Sequence, residues 1–139
     1  MFFIAAIAEE LGYAAYATES LQRYFTPLAT ALIIGVPWAF WHLPSMIEIG
    51  QNAELIAWGL AGTIAVRIIY VWLYNGSGGS VFVLIMCHTV ANTARTGFPG
   101  GRSAYENNNG AIPYGIIIIT AILIIAFWHK AMCRAHKTH

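Results

Sequence analysis

From residue 55 to residue 74 the chain carries a single charged side chain, Arg67. That run is as long as a helix needs to cross a bilayer, ~20 residues. Nothing else about the sequence limits its fold so strongly, because a backbone in hydrocarbon must satisfy its own hydrogen bonds and only helices or closed barrels do so. Similar apolar runs recur over residues 2–17, 28–42 (with an extension toward 49), 80–95 and 113–128. The chain is 58% hydrophobic and 9% charged, against roughly 25% charged residues in soluble domains. Too few charges exist to solvate a globular surface. The expected architecture is all-α, a polytopic helical bundle of about five spans in the lipid bilayer, forming one domain over residues 1–139.

The links between runs are short and polar: residues 18–27, with room for an interfacial turn of helix carrying Glu19 and Arg23, 48–54, the Gly/Ser turn 75–80, and the Gly- and Asn-rich loop 96–111. Pro27 suits a helix start, and Pro37 and Pro44 predict a kinked backbone with carbonyls freed near His42. The last run has the look of a lipid-facing support helix, followed by a basic, solvated tail with His129, His136 and His139. The first run, residues 2–16, falls short of the ~20 residues needed to span, so the sequence reads as the core of a longer bundle truncated before Met1. It lacks the basic n-region of a secretory signal. Lys130, Arg134, Lys137 and Arg23 on one side outweigh Arg95 and Arg102 on the other, which favours a cytoplasmic C-terminus; the expected location, not fixed by that count, is a prokaryotic plasma membrane. A net charge of +1 without a dense basic run argues against nucleic acid. Cys87 and Cys133 sit in or beside apolar runs and read as small buried side chains.

Polar groups inside such runs are costly unless they face a bundle interior and find partners there. Three sets stand out: Glu9 with Glu10, His42, and His88 with Asn92. His88 and Asn92 are four apart and share a helix face. Adjacent glutamates diverge by about 100°, so one can aim at a site while the other supports it. Two neighbouring carboxylates in low dielectric cannot both stay ionised without a cation. Two imidazoles, a carboxylate and an amide oxygen can hold zinc or another divalent metal, or hold an attacking water by hydrogen bonds alone. Arg67 is expected to snorkel to the interface or to pair with a glutamate.

The same residues carry a resemblance. Glu9-Glu10-Leu-Gly-Tyr, Trp38-Ala-Phe-Trp-His42-Leu-Pro and His88-x3-Asn92-Thr resemble, in order, the three motifs E-E-x-x-x-R, F-x-x-x-H and H-x-x-x-N/D of the CPBP family of intramembrane proteases. That family includes the type II C-a-a-X prenyl endopeptidases and the bacteriocin-immunity and lysostaphin-resistance-like proteins. The resemblance implies an intramembrane endopeptidase acting on a membrane-bound or prenylated peptide, with Glu9, Glu10, His42, His88 and Asn92 at the site. Glu9 would be the general base, and His42, His88 and Asn92 would hold the water or a metal and stabilise the oxyanion. The sequence has no His-Glu-x-x-His zinc helix.

Two positions depart from the pattern. Trp38 replaces the motif Phe and keeps a large ring there; Ala14 replaces the motif Arg and removes the cation that would neutralise Glu10. Glu10 must then be protonated, or paired with another cation such as Arg67. An immunity or scaffold protein that keeps the bundle without the chemistry is the alternative. A small transporter is a third, though no inverted repeats or paired broken helices point to one.

Overall fold

The structure, a computed structural model, describes residues 2–97, 99 and 106–133. The side chain of Cys133, and Arg102, Arg134, His136, Lys137 and His139, lie outside the described residues. Among the described residues the chain is helical, in the order α1 (Phe2–Glu10), a π-helical stretch (Leu11–Thr18), α2 (Glu19–Gln22), α3 (Pro27–Glu48), α4 (Ala53–Gly76), α5 (Val81–Thr96), a 3-10 turn (Asn107–Gly110), α6 (Ala111–Phe127) and α7 (His129–Cys133). Pro27–Glu48, Ala53–Gly76 and Asn107–Phe127 are each long and apolar enough to cross a membrane. With α5 at 16 residues and α1 shorter still, the five expected runs all form helices, but not all of crossing length. The chain is an integral membrane protein built as a helical bundle.

Capping side chains start the helices where the links end. Thr26, Asn52 and Ser80 each accept from the backbone N–H three residues on, at 3.2, 2.8 and 3.4 Å, supplying an acceptor to donors that the first turn leaves orphaned. Pro27 follows its cap at the first helical position, where its missing N–H costs nothing. Helix α3 continues as one element through Pro37 and Pro44 to Glu48. The Ser45 hydroxyl donates to the His42 carbonyl at 2.9 Å, the kind of side-chain bond that lets a membrane helix tolerate proline.

α4 is the centre of the bundle, with α3 and α6 packed along it and α5 at its edge; α1 packs on α5. Small residues let these helices approach, as in membrane bundles generally. A Cβ built on Gly35 would sit 3.1 Å from the Arg67 stem, and one on Gly62 would sit 2.3 Å from the Tyr114 ring. Tyr114 is only 7% exposed and has little room to move. Gly62→Ala is therefore expected to destabilise the protein by about 1–3 kcal/mol, as overpacking does, read as a lower melting temperature in detergent.

Two expectations need correction. The helix that starts at Phe2 does not break near residue 17 but widens to π geometry and runs on into α2, the turn of helix carrying Glu19 for which the 18–27 link has room. The Thr18 hydroxyl donates to the Tyr13 carbonyl at 2.7 Å, five residues back, and closes that wider turn. The tail is also not wholly solvated. His129 and Lys130 are exposed, but Met132 of α7 is 1% exposed, clustered with Ala31, Val71 and Ile124. Cys87 is half-buried against Tyr70, Tyr74 and Leu84, in keeping with a small packing side chain.

Candidate active site

A cavity of about 290 Å³ opens between the helices. Glu9 reaches it from α1, Trp38 and His42 from α3, Tyr70 from α4, and His88 and Asn92 from α5. These six residues, up to 83 positions apart in sequence, thus line one space, and each is delivered by a helix that packs into the bundle on another face. His88 and Asn92 line it together because a four-residue step returns to the same helix face.

Glu9 and Glu10 part company, as adjacent helical residues do. Glu9 is half-buried at the cavity, where its Oε2 accepts the Trp38 indole N–H at 3.0 Å. Glu10 does not line the cavity. It is fully buried behind it, bonded to the Arg67 guanidinium at 3.0 and 3.4 Å and to His88 Nδ1 at 2.9 Å. Of the two fates foreseen for Arg67, pairing with a glutamate is the one observed: the side chain is 0% exposed and does not snorkel.

The guanidinium also lies against three rings, with its carbon 4.3 Å from the Trp38 centroid, 5.0 Å from Tyr13 and 5.4 Å from Tyr70. Desolvated contacts of this kind are favourable, and they occupy the flat faces of a cation whose edge is spent on Glu10. His88 packs between Trp38 and Tyr70, at 5.8 and 5.9 Å between centroids, and His42 sits edge-on to Trp38 at 5.4 Å. With Nδ1 engaged by Glu10, His88 has only Nε2 left for the cavity.

Trp38 does more than keep a ring in place. A phenylalanine has no N–H, whereas the indole holds the Glu9 carboxylate. A buried tryptophan needs an acceptor, and that need was the available clue. Sequence reasoning also passed over Tyr70, Arg95 and Tyr114, all of which line the cavity. Arg95 pairs with Glu106 at 2.8 Å, and Gln51 donates to the same carboxylate at 3.4 Å. Asn109 meanwhile accepts from Asn52 and donates to Glu54, both at 2.8 Å. These bonds tie the end of the long loop to the α3–α4 link.

For a metal, the fit is poor. Glu9, His42, His88 and Asn92 face one cavity, yet among the described residues no three His, Cys, Asp or Glu side chains gather closely enough to hold an ion.

Two comparisons bear on the site. A family model described as Rce1-like, type II CAAX prenyl endopeptidase Rce1-like, matches residues 1–94, a span that includes every residue from Glu9 to Asn92. The chain is also similar to CAAX prenyl protease 2 of Methanococcus maripaludis, 24% identical over 139 residues, covering 94% of this chain and 49% of that protein. The chain thus spans about half the length of this curated relative.

Proposed function

Because the chain belongs to the Rce1-like family of type II CAAX prenyl endopeptidases, we propose that it is an intramembrane endopeptidase for a membrane-associated, prenylated peptide. The observation that carries this reading is the shared cavity of Glu9, His42, His88 and Asn92. Glu9 takes a proton from a water through Oε1, since the Trp38 N–H occupies Oε2. The water oxygen attacks the peptide carbonyl carbon, and the carbonyl oxygen takes the negative charge. Hydrogen-bond donors on His42 and Asn92 stabilise that oxyanion. The Glu9 proton then passes to the departing amine, and the C–N bond breaks. His88 presents Nε2 to hold the water. This sequence needs no metal, and cleavage is expected to persist with chelator present.

A transporter would need a polar path through the bundle. Behind this cavity Glu10 and Arg67 are committed to each other as a buried ion pair, and the residues that face the cavity are those a hydrolytic site would use.

The test uses the purified protein in detergent and two peptides ending in Cys-a-a-X, one farnesylated and one unmodified. The farnesylated peptide is expected to be cut after the cysteine, and at least ~10-fold faster than the other, because each buried CH₂ of the prenyl chain contributes ~0.8 kcal/mol of membrane partitioning. Mass spectra showing both peptides intact would sink the proposal; equal rates would remove only the prenyl preference.

A further inference from the structure

We infer that Arg67 is a positioning residue for the reaction, supplying from α4 the cation that the family motif places at position 14, in the π-helical stretch after α1. The inference rests on the endopeptidase reading above. At the motif position stands Ala14, 0% exposed and packed with Tyr70, Tyr74 and Leu84, where no charge reaches Glu10. The guanidinium arrives instead from a residue 57 positions away and bonds both Glu10 oxygens.

Two chains of contact run outward from it. Along the first, Arg67 holds Glu10 as an anion, and an ionised carboxylate can only accept. His88 must then donate from Nδ1, which fixes its tautomer and leaves Nε2 an acceptor toward the cavity. Along the second, the guanidinium carbon lies 4.3 Å from the Trp38 ring centroid, and the indole N–H holds Glu9. One buried cation therefore sets the orientation of both the proposed base and the proposed water holder.

Removing Arg67 alone leaves a buried anion and endangers the fold, so the decisive variant is Glu10→Gln/Arg67→Met, in which the pair is neutralised together. It is expected to melt near the wild-type temperature while kcat on the farnesylated peptide falls ~10-fold or more, as misplacement of reacting groups does, with KM within about twofold. A Gln at position 10 can flip and offer His88 either a donor or an acceptor, so the ring is no longer fixed. Arg67→Lys returns the charge without the fork and is expected to recover part of the lost kcat. Wild-type kcat in the folded double variant, or a loss confined to KM, would overturn the inference while leaving the endopeptidase reading intact. If the wild type cuts nothing, both fall. A nitrogen NMR spectrum of the wild-type imidazoles provides a check without any variant: His88 protonated at Nδ1 is expected, and protonation at Nε2 would overturn it.

Discussion

Glu9→Gln is expected to lower cleavage of the farnesylated peptide by ~100-fold or more, which is the usual scale for losing a general base and corresponds to about 2.7 kcal/mol in the barrier. The side chain keeps its size, and the amide oxygen can still accept the Trp38 N–H now seen at 3.0 Å. The cavity should therefore keep its shape. What the amide lacks is a basic oxygen to take the proton of the attacking water. Because Glu9 is half-buried and bonds no cation at hydrogen-bond distance among the described residues, stability should change little. Kinetics and melting measured on one preparation separate the two effects. A variant that melts normally and cuts at the wild-type rate would remove Glu9 from the mechanism.

The largest effect on stability is expected at Arg67. The Arg67 and Glu10 side chains are 1% and 0% exposed, so Arg67→Met leaves a carboxylate without its cation inside the bundle. Breaking a buried pair from one side typically costs about 3–5 kcal/mol, whereas replacing both members with neutral groups is often tolerated. His88 Nδ1 remains at 2.9 Å but cannot match the guanidinium fork. The expectation is a clear loss of melting temperature in Arg67→Met, largely restored when Glu10→Gln is added. Additive losses in the double variant would show that the two residues are not coupled.

Much of this site could be read before any coordinates. His88 and Asn92 were tied together by helical spacing, and a polar pair inside an apolar run has few places to go except a bundle interior. Glu10 without the motif Arg had either to be protonated or to find another cation, and Arg67, the single charge in its run, was one candidate. The helix starts at residues 27, 53 and 81 follow from the capping side chains of Thr26, Asn52 and Ser80, with Pro27 at the first position of its helix.

The missed features are those that tertiary contacts decide. Whether residues 11–18 wind as α or π depends on what the small side chains pack against, and nothing in Leu-Gly-Tyr-Ala-Ala-Tyr-Ala-Thr fixes it locally. The bond from Trp38 to Glu9 joins helices 29 residues apart in sequence. Tyr114 looked like part of a lipid-facing helix, yet the close approach permitted by Gly62 turns its ring toward the cavity. Met132 lies beyond the last long run, and its burial is set by the way α7 folds back on α3.

Cleavage of the farnesylated peptide in heavy-oxygen water, followed by mass spectrometry, tests most directly whether these groups work together on a water. The wild-type protein should yield a fragment with heavy oxygen in its new terminal carboxyl group, while Glu9→Gln leaves the peptide whole over the same interval. An intact peptide from the wild type, or the same labelled fragment released equally fast by Glu9→Gln, would contradict the account.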